Sequence, residues 1–351
     1  MKLVRYLLAL SFRLAQDTEL ETLAVNRLGM QSLNLVRAAG SIANVGHSEA
    51  AAISKRQSEL IAQVIYNSGG STPREVSPAR FNPSNDKPEN VLSFPGSEQD
   101  AYRFAIYAGL SYCFPDSIRS MTCKTCRRLG GGVEVMHVFS DLLTRGRAVL
   151  MLDKHRNEIV LTFRGSLFLE NWISNIQFFM TSAPYAKGVR VHHGFKHAAG
   201  VLLDDIIPPL RKALDQYPDH KLIVTGHSLG GSLATLTVSE LLYREIVDPS
   251  RLHVFSYGEP RTGNAAFVRW YNSRPIRMTR VVNENDIVPH ILPALFGFVH
   301  HSTESFIQNN QSSTCSSSSL ESLQCSLSRF PFLSILNHLR AWDLPLGITA
   351  C

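Results

Sequence analysis

The residues best suited to chemistry are Gly226-His227-Ser228-Leu229-Gly230, which follow the apolar run Leu222-Ile223-Val224-Thr225. Gly231-Ser232-Leu233-Ala234 come next and open a helical pattern. A serine with glycine two positions to either side, between a strand pattern and a helix pattern, is the signature of a nucleophile elbow. Such a turn strains the serine backbone and puts its hydroxyl at the tip. A Cβ at Gly226 or Gly230 would collide with the neighbouring strand or helix. Without chemistry the same string would be a tight strand-to-helix turn, with His227 packing locally.

A serine hydroxyl is a poor nucleophile at neutral pH. It needs a base, and the base needs an acid that fixes its tautomer and stabilises its charged form. In a fold built around such an elbow the chain order is serine, acid, histidine. Asp286, just past the strand-like Val281-Val282, fits the acid, and Glu259 after another strand pattern is its rival. Asp204 and Asp205 precede the serine and have the wrong order. The base is to be found among His290, His300, His301 and His338, and order and spacing lean to His338. A developing oxyanion also needs donors. The backbone N–H of Leu229 is one. Gly165-Ser166, at the end of an earlier strand pattern, is placed to supply another, with the Ser166 hydroxyl as a further donor.

Strands are expected at Arg147–Leu152, Glu158–Phe163, Val189–Val191, Leu222–Thr225, Leu252–Tyr257 and Met278–Asn283, with extended chain over Phe298–Ile307. Helices are expected over Glu98–Cys113, His197–Tyr217 with an irregularity at Pro208-Pro209, Leu229 to about Ile246, Ala265–Tyr271 and Phe332–Trp342. Strands alternating with helices around one nucleophile predict a single α/β domain. A short stretch after Ser166 puts Phe168, Leu169, Trp172, Ile173 and Ile176 on one face. It reads as a buried packing helix or as a mobile lid. Uncovering ~300 Å² of apolar surface would cost roughly 7 kcal/mol. Water would then favour a closed lid, and a lipid surface would offset the cost of opening.

The 351 residues, 44% of them hydrophobic, have room for a sizeable core. The net charge of +6 comes without a basic run or an aromatic-interleaved patch, which argues against nucleic acid. No apolar stretch is long enough to span a membrane as a helix. Residues 1–16 pair a charged start with a short apolar core, as a secretory signal does, although Arg13 interrupts it. Residues 17–93 lack cysteine, turn rich in Ser, Asn, Pro and Gly, and contain Lys55-Arg56; they read as a propeptide ahead of a domain over 94–351. The six cysteines suit disulfides in a secreted protein. Cys123-Lys124-Thr125-Cys126 lacks the second pair a zinc site needs. Ser316-Ser317-Ser318-Ser319 reads as a loop, and Asn310-Gln311-Ser312 is a glycosylation sequon.

Six strings together resemble the secreted fungal class 3 lipases of the Rhizomucor and Rhizopus type. They are Phe163-Arg164-Gly165-Ser166 with Asn171-Trp172-Ile173, Val191-His192-His193-Gly194-Phe195, Gly226–Gly231, Pro260-Arg261-Thr262-Gly263, Val282–His290 and Phe296–His300. The resemblance covers about residue 97 to the C-terminus. It implies an α/β-hydrolase with a central mixed, mainly parallel sheet and a short helical lid at Phe168, Leu169, Trp172 and Ile173. It also implies Ser228 as nucleophile, Asp286 as acid, His338 as base, and Ser166 with Leu229 at the oxyanion hole. The implied disulfides are Cys113–Cys351, Cys123–Cys126 and Cys315–Cys325. The expected activity is that of a secreted, monomeric triacylglycerol lipase acting on lipid or ester at an oil–water interface, without metal or organic cofactor. An esterase for soluble esters such as feruloyl esters, and a non-catalytic lipid-binding relative, are the alternatives. Two strings depart from the family pattern. Asn337 stands where Asp usually precedes the base, and Ser302-Thr303-Glu304-Ser305-Phe306 follows His300-His301 in place of Gly and Glu-Tyr-Trp.

Overall fold

The computed structural model describes residues 98–141, 144–315, 321, 325–329, 332 and 334–351. The expected signal and propeptide regions, Lys55-Arg56 and Ser316–Ser319 lie outside the described residues. Glu170–Ile176 forms a unit apart from the main body.

Helix α1 (Glu98–Leu110) carries Glu98 and Asp100 in its first turn, where the helix dipole favours negative charge. Helix α2 (Pro115–Arg119) follows. Strands β1 (Val133–Ser140), β2 (Arg147–Asp153) and β3 (Glu158–Phe163) form an antiparallel meander. After α3 (Leu169–Asn175), β4 (Met180–Ser182) and β5 (Arg190–His192) lead into α4 (His193–Gln216). Then come β6 (Lys221–His227), α5 (Leu229–Tyr243), β7 (Leu252–Tyr257), β8 (Gly263–Asn264), α6 (Ala265–Asn272) and β9 (Arg277–Asn283). The chain ends with β10 (Phe298–Val299), β11 (Glu304–Gln308), β12 (Gln311–Cys315), α7 (Ile335–His338), β13 (Arg340–Ala341) and β14 (Leu344–Pro345).

The main sheet has eight strands in the order β1-β2-β3-β6-β7-β9-β11-β12. Its centre, from β3 to β11, is parallel, and antiparallel pairs flank it on both sides. Parallel neighbours need a crossover, which α4, α5 and α6 supply up to β9; the connection from β9 to β11 runs instead through short turns and β10. The central strands are buried on both faces, which is why they read as unbroken apolar runs. Val149, Met151, Val160, Ile223, Phe255 and Val281 cluster with Phe104 and Tyr107 of α1 on one face. Residues of opposite parity, such as Leu222, Val224 and Val254, face the other side, where α4 and α5 lie.

Several elements differ from the sequence-based expectation. The helix expected over Phe332–Trp342 shrinks to Ile335–His338. Ser334 instead bridges to Asp286 and caps the Asn337 N–H, and Trp342 adopts φ 53, outside helical space. Helix α4 begins four residues earlier than expected because His192 Nδ1 accepts the Phe195 N–H. Pro208 and Pro209 do not interrupt it. The carbonyls that lose their donors belong to Asp204 and Asp205, on the solvent side. The extended run Phe298–Ile307 splits into strands of two sheets. Strands β1 and β12 are the margins of the main sheet: β12 is polar and partly exposed, and in β1 a register shift between Val135 and His137 breaks the alternation of its apolar residues.

Candidate active site

Strand β6 ends at His227 and helix α5 starts at Leu229, so Ser228 alone makes the turn. Its backbone sits at φ 61 and ψ −132, a region that costs of order 1–3 kcal/mol for a residue with a side chain. Two hydrogen bonds hold it: the Ser228 N–H donates to Tyr257 O at 2.8 Å, and Ser228 O accepts from the Gly231 N–H at 2.9 Å. A Cβ on Gly226 would run into the Gly230 carbonyl, and one on Gly230 into the Phe163 carbonyl. Both glycines are therefore fixed by close backbone approach. The N-terminal N–H groups of α5 surround the turn with partial positive charge.

Asp286 lies in the turn after β9 and His338 at the end of α7. The carboxylate oxygens of Asp286 accept from His338 Nδ1 at 3.0 and 2.9 Å, and Oδ1 also accepts the Val288 N–H at 2.8 Å. Both side chains are buried. Gly258, at φ 56, lies against this pair. A Cβ there would stand 2.6 Å from His338 Nδ1 and 2.7 Å from Asp286 Oδ2. With Nδ1 committed to the acid, Nε2 of the imidazole carries the free lone pair. His338 Nε2 and Ser228 Oγ are both buried, and neither has a hydrogen-bond partner among the described residues. A buried unpaired polar atom costs roughly 1–3 kcal/mol. Among the buried unpaired atoms are thus the two that a serine–histidine proton transfer requires.

The rival acid and bases have other partners. Glu259 is fully buried and accepts from Ser256 Oγ (2.5 Å), Thr235 Oγ1 (2.9 Å), Thr262 Oγ1 (2.9 Å) and His301 Nε2 (3.0 Å). Burial alone would raise its carboxyl, but His301 and the hydroxyl donors hold it down at about 2. The group lies against Gly231 and supports the elbow helix from behind. His300 Nε2 lies 2.8 Å from Pro289 O, while His290, whose ring nitrogens have no hydrogen-bond partner among the described residues, stacks on Phe332 at 3.6 Å between ring centroids and has no carboxylate bonded to it. Asp204 and Asp205 are exposed on α4.

On the other side of Ser228, Gly165 is pressed against the elbow. A Cβ there would meet the Tyr112 hydroxyl, His227 O at 2.5 Å and Ser228 Cβ at 2.9 Å. Ser166 is the next residue, and the Leu229 N–H opens α5. A continuous hydrogen-bond chain ties these loops together. The Gly165 N–H donates to Tyr112 Oη at 3.1 Å, Tyr112 Oη lies 2.8 Å from His227 Nδ1, and His227 Nε2 lies 2.8 Å from His338 O. With Tyr112 donating to Nδ1 and Nε2–H donating to the carbonyl, His227 is neutral. Burial, followed by the nearby His338, holds it well below its ordinary value. His227 therefore bridges the loop of Ser166 to the backbone of His338, beyond the local packing expected for it. Tyr112 escaped sequence reasoning because it lies 115 residues from His227 and no motif marks it.

Asn337 also finds a partner. Its Nδ2 donates to Glu284 Oε2 at 3.4 Å, and its carbonyl accepts from Asn283 Nδ2 at 3.0 Å. The departure from Asp at this position thus places a neutral donor against a carboxylate, two residues from Asp286. Several large apolar side chains stand exposed. Phe168 is 63% and Leu336 76% accessible, and Phe179, Leu295 and Phe296 are exposed as well. Taken by itself, α3 has Ile173 buried and Glu170 and Asn171 exposed. The cysteines form the disulfides Cys113–Cys351, Cys123–Cys126 and Cys315–Cys325.

Buried neutral histidines give the fold a pH dependence with a definite sign. Burial lowers His192 from 6.5 to about 4 and puts His290 and His300 well below 6.5. Between about 4 and 6.5 the unfolded chain binds more protons than the folded one, so stability falls as pH falls through that window. Glu259, depressed from 4.5 to about 2, adds stability above 4.5 that is lost as pH drops towards 2. Melting temperature is expected to decline below pH 6.5 and to steepen below 4.5. For His192 and Glu259 the contribution is roughly 3 kcal/mol each. His192→Gln should flatten the upper part of that slope in a pH series of thermal melts.

No helix among the described residues is long and apolar enough to cross a membrane. The family model for class 3 lipases matches residues 160–296. A lipase from Rhizomucor miehei is 36% identical over 219 residues, 62% of this chain and 60% of that lipase. The chain thus spans less than two thirds of that relative's length. The structure of lipase II from Rhizopus niveus is 34% identical with a TM-score of 0.68, covering 71% of this chain and 96% of the other. A structure of the Rhizomucor miehei lipase propeptide complex is 30% identical with a TM-score of 0.68, covering 82% of this chain and 94% of the other. The chain belongs to the class 3 lipase family of α/β-hydrolases.

Proposed function

We propose that this protein hydrolyses triacylglycerol at a lipid–water interface through an acyl-enzyme on Ser228. His338 Nε2 takes the Ser228 proton as Oγ attacks the ester carbonyl, and later gives it to the leaving alcohol. Asp286 orients His338 and stabilises its imidazolium. The Leu229 N–H, with Ser166, stabilises the oxyanion. Water then attacks the acyl-enzyme with His338 again as base, releasing fatty acid. The observation that carries this reading is the Asp286–His338 pair with its outer nitrogen free, tied through the His338 carbonyl to His227, the residue before a strained, unpaired serine.

The exposed Phe168, Phe179, Phe296 and Leu336 favour a lipid surface over a soluble ester. Phe168, Leu169, Trp172 and Ile173 act as a lid whose apolar face lipid uncovers. The three disulfides support secretion, with residues 1–16 as signal and 17–93 as propeptide. The match to the propeptide complex extends over more of this chain than the match to the Rhizopus niveus lipase, 82% against 71%, in keeping with that division. The test is hydrolysis of tributyrin from monomeric solution into emulsion, beside triolein and methyl ferulate. A rise in rate as emulsion forms, with triolein cleaved and methyl ferulate not, is the expected result. A rate indifferent to the emulsion together with methyl ferulate cleavage would assign a soluble esterase instead.

A further inference from the structure

The β11–β12 hairpin closes through two residues, Asn309 and Asn310, at φ 51 and 60, with Gln308 paired to Gln311. Both left-handed positions suit asparagine, so the turn itself accounts for these two residues. It does not account for Ser312, which completes Asn310-Gln311-Ser312, an acceptor pattern for N-linked sugar. The chain's other Asn-x-Ser string, Asn82-Pro83-Ser84, has proline in its middle, which the acceptor pattern excludes. Asn310 and Gln311 are exposed and Ser312 is partly so. The Asn310 carboxamide has no hydrogen-bond partner among the described residues. The turn is nevertheless anchored, because the Asn309 N–H donates to Glu284 Oε1 at 3.2 Å.

The position also matters to the sheet. Strand β12 is the outermost strand and, among the described residues, pairs only with β11. Gln311-Ser312-Ser313-Thr314 therefore leave one row of backbone N–H and C=O groups unpaired by any strand of the described residues. Such an edge invites pairing with another chain unless something covers it. A bulky hydrated group at the tip would shield it without touching the elbow.

We infer that Asn310 is an N-glycosylation site whose sugar shields the open edge of the main sheet; this rests on the reading that the chain is secreted. The donor is an oligosaccharide held on a lipid pyrophosphate. The carboxamide nitrogen of Asn310 forms a bond to the sugar C1 as the C1–O bond to pyrophosphate breaks. The lipid pyrophosphate leaves with that electron pair, and one amide proton passes to a base.

The test is to express the full chain in a eukaryotic secretory host as wild type, Ser312→Ala and Asn310→Gly, the last keeping the positive φ. Medium and cells are then treated with an N-glycan amidase. Secreted wild type should show a discrete drop in mass on treatment, and its Asn310 peptide should reappear as aspartate. Both variants should already run at the lower mass. Secreted wild type with an unshifted mass and an unmodified Asn310 peptide would overturn the site. A chain found only inside the cells and never in the medium would overturn the secretion reading first, and the site with it.

Discussion

Ser228→Ala is expected to lower tributyrin hydrolysis by about 10⁶-fold, to the residual rate that binding and oxyanion donors give without a nucleophile. It is also expected not to destabilise the protein. Alanine has the same backbone cost at φ 61 as serine, and the change removes a buried hydroxyl that has no partner. Relief of roughly 1–3 kcal/mol is available from that source. The combination discriminates a catalytic from a packing role. A serine retained only for the turn would leave activity unchanged on substitution. Initial rates on emulsion, read beside a thermal melt of each protein, are the measurement. Equal hydrolysis by the two proteins would sink the catalytic assignment, including the roles of Asp286 and His338.

Gly258→Ala tests the geometry at the acid–base pair. The residue is at φ 56, where a Cβ costs of order 1 kcal/mol. The added carbon would also lie closer than van der Waals contact to both His338 Nδ1 and Asp286 Oδ2. These are buried side-chain ends, and one or both must move. A displacement near 1 Å in a catalytic group can cost about 10²-fold in rate. A loss of at least that size in kcat, with only a modest fall in melting temperature and little change in KM, is expected. The lesion should track the pair: in Asp286→Ala, where one of the two clashing partners is gone, the added methyl should cost much less. A Gly258→Ala protein with wild-type rates would show that the pair tolerates the intrusion.

The elbow was legible in the sequence because its requirements are local. A strand must end, one residue must turn, and a helix must begin within a few residues. The two glycines are forced by the carbonyls of Gly230 and Phe163 that approach them. The central strands were legible for a related reason, since burial on both faces leaves an unbroken apolar run. Strands β1 and β12 and the short α7 were not, because marginal strands carry mixed residues and α7 is held by Ser334 and its bridge to Asp286.

By itself, the sequence determined an α/β chain organised on Ser228 and a short set of acids and histidines that could serve it. Glu259 and Asp286 both follow strands, and His290, His300, His301 and His338 all stood as candidate bases downstream of the serine. Only the tertiary structure decided among them, by joining Asp286 to His338 across 52 residues and Glu259 to His301 across 42. Only it revealed Tyr112 and His227 as the connection between the Gly165 loop and His338. The physical reason is one of range. Periodicity records which face of an element is buried, whereas the partner of a buried polar atom is set by the order in which strands assemble.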